Sequence, residues 1–239
     1  MKKKLNIILN IAIILTIANI TYNLYLSKTA YKQIDITAST EIISSQNINY
    51  IKYYKDYYQN EDIIGILELT NSELVTLVPQ TKDNTYYLNH LVNHEKSKLG
   101  STFLDYRINL NNYQKLIIYG HNSYDNKTPF NKLANFLDYN YYLLHPTIKF
   151  TTEFFSDVYQ IFSVYSTKTD YFHTNIYFND DNSYLDHLKK LKERSIYNID
   201  IDLTNSKTLI LQTCLNNKTI LIISAIKIGE TNEKDNFIF

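Results

Sequence analysis

The sequence predicts a mainly β protein with helices, its strands numerous enough for a closed or nearly closed barrel. Three observations predict it. Short β-rich apolar runs recur from about Ile63 onward, two intervening segments place apolar residues at helical spacing, and no internal repeat or low-complexity linker divides the body. With 239 residues, 44% of them hydrophobic, one good core is the expected outcome.

Met1-Lys2-Lys3-Lys4 precedes an apolar run from residue 5 to about 26, long enough for the ~20 residues a membrane-spanning helix requires. Asn6, Asn10, Asn19 and Asn23 interrupt it, and no small-residue cleavage site follows. Residues 1–26 are therefore expected to be an uncleaved signal anchor rather than a removed leader. The three lysines stay cytoplasmic by the positive-inside bias, which makes this a single-pass protein of the cell membrane with the remainder extracellular. The alternative is a buried helix of a soluble protein, which would need apolar surroundings on every side. Residues 27–62 are polar and rich in Tyr, Lys, Ser and Thr. They read as a stalk with one or two short helices, for example over 48–58.

The compact domain is expected over 63–239. Ile63–Leu69 and the run 74–79 read as strands, and Pro79 closes the second. Further β-rich runs cover 101–108, 113–119, 147–150, 158–165, 208–213 and 219–228. Helical spacing appears over 131–137, with Leu133, Phe136 and Leu137 on one face, and over 183–194, with Leu185, Leu188 and Leu191 behind a cap at Asn182 or Ser183. The 24 acidic and 24 basic residues cancel, so the chain lacks the basic field of a nucleic-acid binder, and no such partner is expected.

Two apolar runs end on reactive side chains. Leu116-Ile117-Ile118-Tyr119-Gly120-His121-Asn122 carries a histidine, and Leu209-Ile210-Leu211-Gln212-Thr213-Cys214 carries the only cysteine. A thiol becomes a useful nucleophile at neutral pH when a base or cation stands beside it. A lone cysteine outside the membrane cannot form an intramolecular disulfide, which favours a free thiol kept for chemistry. Cys214 is thus the candidate nucleophile and His121 the candidate acid–base. The bland alternatives are a satisfied core histidine and a small buried hydrophobe.

Tyr86-Tyr87-Leu88-Asn89-His90, Gly100-Ser101-Thr102-Phe103-Leu104-Asp105-Tyr106-Arg107, Ile117-Ile118-Tyr119-Gly120-His121-Asn122, His145-Pro146 and Leu211-Gln212-Thr213-Cys214 resemble, in order and spacing, the successive blocks of a class B sortase. The resemblance implies an eight-stranded sortase-type β-barrel with N-terminal helices and a long helix before the cysteine strand. It also implies a cysteine transpeptidase on the outer face of a Gram-positive cell, needing no cofactor or metal. Its partners would be a surface protein or pilin with a C-terminal sorting signal, a peptidoglycan or pilin amine as acceptor, and the cytoplasmic membrane through the N-terminal helix. By position against the family, Asn84, Leu88, Thr167, Tyr171, Phe172 and Gln212 would line the sorting-signal groove.

The chain departs from the pattern at one chemically important place. Sortases carry an arginine at the start of the strand after the cysteine, where it orients substrate and stabilises the oxyanion. Here Thr219 holds that position, and the only arginines are Arg107 and Arg194. The connecting Leu215-Asn216-Asn217-Lys218 is short and reads as a tight turn on Asn216-Asn217. Lys218, Thr219 and Asn122 are the candidates for the vacated role, although an ammonium does not reproduce a guanidinium fork. Ile210 also replaces the first threonine of the family's Thr-Leu-Xaa-Thr-Cys, and Gln212 fills its variable slot. Losing an oxyanion donor costs ~10²–10³ in rate. The alternative function is therefore a catalytically impaired homologue that binds a peptide or assists pilus assembly; a third is an unrelated cysteine peptidase using water as acceptor. His90 and His94 lack the glutamate of a zincin motif, and no metal site is predicted. His145, His173 and His187 read as surface or loop histidines.

Overall fold

The structure, a computed structural model, describes residues 15–19, 21–22, 50–123, 127–168, 170–204, 207–216 and 218–230. The chain forms two compact units, Met1–Ser39 and Thr40–Phe239. In the first, residues 15–19 and 21–22 are helical, with the Thr21 hydroxyl donating to the Ile17 and Ala18 carbonyls. No helix among the described residues is long and apolar enough to cross a membrane. Most of the apolar run expected to anchor the chain, and the stalk up to residue 49, lie outside the described residues.

The described part of the second unit opens with α1 (Tyr50–Tyr58) and is built on one eight-stranded sheet: β1 (Ile63–Leu69), β2 (Val75–Pro79), β3 (Phe103–Leu104), β4 (Lys115–Tyr119), β5 (Thr147–Thr152), β6 (Ser156–Thr167), β7 (Thr208–Asn216) and β8 (Thr219–Glu230). The strand order is β2-β1-β5-β6-β8-β7-β4-β3. The two outermost strands meet again. The Thr76 and Thr102 hydroxyls lie 2.9 Å apart, and Thr102 donates to the Leu77 carbonyl at 2.8 Å, both threonines being buried. The sheet therefore curls into the expected, nearly closed barrel, and its free edges are covered rather than exposed.

Every pairing is antiparallel except β4 with β7. That parallel pair is buried on both faces, which explains why Leu116-Ile117-Ile118 and Leu209-Ile210-Leu211 read as continuous apolar runs rather than alternating ones. Two further α-helices follow the chain: α2 (Tyr139–Leu144), and α3 (Asp181–Glu193) in the β6–β7 connection. α3 packs through Tyr184, His187, Leu188 and Leu191. It is stitched to the barrel where the Ser163 hydroxyl donates to the Leu191 carbonyl at 2.6 Å.

The differences from expectation have local causes. The run 101–108 yields only a two-residue strand, because the Asp105 carboxylate accepts from the backbone N–H of Arg107 and turns the chain. Pro129–Leu137 is a 3₁₀ helix opening on proline. α3 is capped by Asp180, which accepts from the Ser183 N–H at 2.7 Å, two to three residues before the expected cap. α2 follows at once on the 3₁₀ helix because Asp138 caps it, accepting from the Asn140 N–H at 2.9 Å. Asn216, expected in the turn after the cysteine, is instead the last residue of β7 and pairs with Thr219.

Removing the seam hydroxyl with Thr102→Val should cost about 1 kcal/mol, since two buried hydrogen bonds are lost and the Leu77 carbonyl keeps only its longer contact with the Thr76 hydroxyl. A urea titration should show a lower midpoint with an unchanged slope.

Candidate active site

The β4–β7 ladder decides where the two reactive side chains stand. Its register pairs Lys115 with Thr208 and runs in step to Tyr119 with Gln212. The Gly120 N–H extends the ladder, donating to the Gln212 carbonyl at 3.1 Å, and the Thr213 hydroxyl donates to the Gly120 carbonyl at 2.8 Å. Cys214 lies two residues past the last pair on β7 and His121 two residues beyond the end of β4, so both sit at the same end of the ladder. Residues two apart on a strand share a face. Cys214 therefore continues the face of β7 carrying Gln212.

The same row continues across the sheet. Cys214 pairs with Ile220, and Ile220 with Thr167. One step lower, Gln212 pairs with Ile222 and Ile222 with Tyr165. The lower row lies under the β6–β7 connection, where Ile222 and Tyr165 are buried, whereas in the upper row Cys214 is exposed and His121, Thr167 and Ile220 are half-buried. The cover thus ends where the thiol begins, leaving a groove floor.

His121 is held from two sides. Its Nε2 donates to the Leu88 carbonyl at 2.7 Å. A carbonyl only accepts, so Nε2 carries a proton and Nδ1 is the nitrogen left to gain or lose one. Gly100 makes this contact possible: with φ +58, a Cβ there would lie 2.5 Å from the Tyr87 carbonyl oxygen, 2.8 Å from that of Leu88 and 2.9 Å from His121 Cδ2. The shelf bearing Leu88 is anchored beneath by Tyr87, whose buried hydroxyl accepts from Asn60 and donates to Asp62. On the other side the Thr128 hydroxyl donates to the His121 carbonyl at 2.6 Å. Asn131 organises that loop, its Oδ1 accepting from the Thr128 and Ser123 N–H groups and its Nδ2 donating to the Asn122 side chain.

Below the groove floor lies a buried polar layer. His173 donates through Nε2 to the Gln212 amide oxygen at 2.6 Å, and Lys115 Nζ lies 2.8 Å from His187 Nε2. His173, His187 and Lys115 are all buried. Burial pushes His173 down to about 4 and His187 to about 3, the nearby cations adding to the effect, and it pushes Lys115 down to about 7. The expectation that His173 and His187 sit on the surface is corrected here. Both occur in a polar stretch of sequence, but the connection folds back over β4 and β7 and encloses them.

The two arginines clamp this layer. Arg107 makes a two-pronged pair with buried Asp105, which also accepts from the Tyr119 hydroxyl, and donates to the Thr174 carbonyl at 3.1 Å. Burial works to raise the Asp105 carboxyl, but these hydrogen bonds overcome it and hold the group below its ordinary value. Arg194 pairs with Asp170 and lies over the Phe172 ring at 4.5 Å. Asp170 in turn accepts from the Phe172 N–H at 2.7 Å. Both ends of the turn carrying His173 are thereby fixed.

No family model matches the chain. It is 35% identical over 158 residues to Sortase B of Listeria monocytogenes, covering 65% of this chain and 63% of that protein. Sortase B of Staphylococcus aureus gives 35% over 159 residues and 64% of its length. The chain thus spans a little under two thirds of the curated relatives it matches. Among solved structures, a sortase B complexed with triglycine superposes with a TM-score of 0.77 at 27% identity, covering 86% of this chain and 98% of that one. The structure of Listeria monocytogenes sortase B gives 0.66 at 31% identity, covering 72% and 97%. The chain belongs to the class B sortases.

In this class B sortase both arginines, Arg107 and Arg194, are paired with carboxylates, and the residues expected to take the family arginine's role stand as follows. Thr219 pairs with Asn216 at the hairpin end beside Cys214; Lys218 is exposed in the turn, its N–H bonded to the Asn216 side chain. Asn122 is engaged by Asn131. Of the groove candidates, Leu88 accepts from His121 through its carbonyl, Gln212 lies two residues before Cys214 on β7, and Thr167 lies two strands from Cys214, paired with Ile220. Asn84 accepts from the Tyr106 N–H at 3.0 Å, Tyr171 is exposed, and Phe172 packs between His187 and Arg194. His90 stacks on Tyr86, and the hydroxyl of Tyr86 lies 3.0 Å from His94 Nδ1. Sequence reasoning missed Gly100, Asn131, Lys115 and the turn around His173. With four glycines in the chain, a glycine inside a family block was a signal for Gly100; nothing marked the others.

Gly100→Ala should shift the His121 ring resonances in NMR and lower stability by about 1–2 kcal/mol, because the left-handed backbone and the clash both oppose a methyl group. The buried histidines give a pH prediction. Their folded-state values lie below the unfolded 6.5, so the unfolded chain binds more protons between about pH 6.5 and 4, and stability is lost as pH falls through that window. Urea midpoints at pH 5 should lie below those at pH 7 by an amount equivalent to roughly 2–4 kcal/mol; a flat profile would contradict the burial of neutral imidazoles.

Proposed function

We propose that the chain is a membrane-anchored cysteine transpeptidase. It cleaves a threonine-containing sorting signal through a thioacyl-enzyme and transfers the acyl group to an amine of the cell wall or of a pilin. The observation that supports this reading is that an exposed thiol and a half-buried imidazole both follow the last pair at one end of a parallel strand pair. Family membership supports it, as do the structures of a sortase B complexed with triglycine and of a Staphylococcus aureus sortase B–substrate complex.

The steps follow from the groups present. The Cys214 thiolate attacks the threonine carbonyl carbon, and the C=O electrons move onto oxygen. As the tetrahedral species collapses, the C–N bond breaks and the departing amine takes the proton from His121 Nδ1. A second amine then attacks the thioester, His121 accepts its proton, and the C–S bond breaks to regenerate thiolate. Holding Nε2 on the Leu88 carbonyl keeps one nitrogen committed, so a single site cycles through both half-reactions. The acceptor is proposed as an amine, with triglycine as its probe. Anchoring rests on the sequence of residues 1–26, and the chain is expected in the membrane pellet after carbonate extraction.

A second reading is favoured by one observation: Thr219 stands where the family carries arginine, and both arginines of the chain are committed to carboxylates elsewhere. It is a homologue that binds the signal without turnover. The experiment that separates them is mass spectrometry of the full chain in detergent with a library of threonine-containing peptides. An adduct on Cys214, absent from Cys214→Ala and released faster by triglycine than by water, supports transpeptidation. His121→Ala should slow adduct formation by ~10²-fold or more. Equal release by water and triglycine indicates a peptidase, and binding without any adduct indicates the silent homologue.

A further inference from the structure

The site raises a chemical question that the missing guanidinium leaves open: which group donates a hydrogen bond to the peptide carbonyl beside Cys214. On the face shared with the thiol, the β8 neighbours Ile220 and Ile222 have no donor. The Tyr119 hydroxyl is spent on Asp105, and Thr167 stands two strands away. Gln212 remains, two residues from Cys214 on the same strand with no irregularity between them.

Its amide is not free to rotate. His173 is fully buried, and its Nε2 donates to the amide oxygen at 2.6 Å. The amide oxygen is therefore turned toward the histidine and the amide nitrogen away from it. Among the described residues that nitrogen has no partner, although Gln212 is only half-buried. The histidine is held in turn, since Arg107 grips the Thr174 carbonyl and Arg194 grips Asp170. His173 Nδ1 is a buried polar atom without a hydrogen bond, which is costly and is offset only if the Nε2 contact matters.

We infer that Gln212 supplies the amide N–H that binds a carbonyl oxygen of the peptide over Cys214, in place of the family's guanidinium, and that His173 is the positioning residue that orients it. The two arginines of the chain hold the turn that carries His173. A neutral amide in a fixed orientation offers a dipole at no desolvation cost comparable to that of a buried charge. This inference rests on the transpeptidase reading above.

The test uses the full chain in detergent with the library peptide that acylates the wild type fastest. Gln212→Met keeps the side-chain volume and removes both N–H donors. It should lower kcat/KM for acylation on the order of 100-fold, while iodoacetamide still alkylates Cys214; the urea midpoint falls because the buried His173 Nε2–H loses its acceptor, and rates are therefore compared well below the unfolding transition. Adding Thr219→Arg to Gln212→Met should restore at least a tenfold share, because a donor then returns from the neighbouring strand. His173→Phe should slow the wild type, and should add little in the Gln212→Met background, the non-additivity expected of residues acting as one unit. Acylation by Gln212→Met within threefold of wild type overturns the inference, as does an additive double variant. A wild-type chain that forms no adduct with any peptide overturns the transpeptidase reading itself, and this inference with it.

Discussion

The parallel ladder between β4 and β7 is the constraint on which the site depends. Antiparallel neighbours can be joined by a tight turn, but parallel ones need a long crossover. Here the chain between the strands supplies β5, β6 and α3. The crossover is also what roofs the lower part of the sheet face and stops short at Cys214. One topological choice thus brings His121 and Cys214 to the same end of the sheet and decides how much of the floor around them stays open.

Polar groups were then placed under that roof at some cost. Two histidines and a lysine lie in a region where charge is disfavoured. Such groups persist when each meets a partner, and three of the four contacts needed are present: His173 with Gln212, Lys115 with His187, and Arg107 with the turn above. The orphaned Nδ1 of His173 is the fourth. An apolar roof would pack as well, so the polar layer is better explained by what it holds in place than by stability.

Much of this was legible in sequence, for physical reasons. A strand buried on both faces writes itself as an unbroken apolar run, and the reactive residue ending each run stood out because cysteine is so scarce. The barrel itself followed from counting such runs. The polar layer was invisible because burial of His173 and His187 depends on contacts spanning 39 and 72 positions, and a local window reads their surroundings as solvated loop. The arginines show the same limit. That Thr219 stands where the family carries arginine was readable, but the contacts of Arg107 and Arg194 with the turn around His173 were not.

The ladder has a kinetic consequence as well. The Thr213–Gly120 contact that locks the reacting ends together spans 93 residues, and such non-local pairings form late, after the entropy of closing the loop has been met. A chain still folding therefore carries a thiol with no base beside it. The two side chains of the proposed pair meet only once this ladder has closed, so whatever chemistry they share belongs to the completed barrel and not to a partly folded copy.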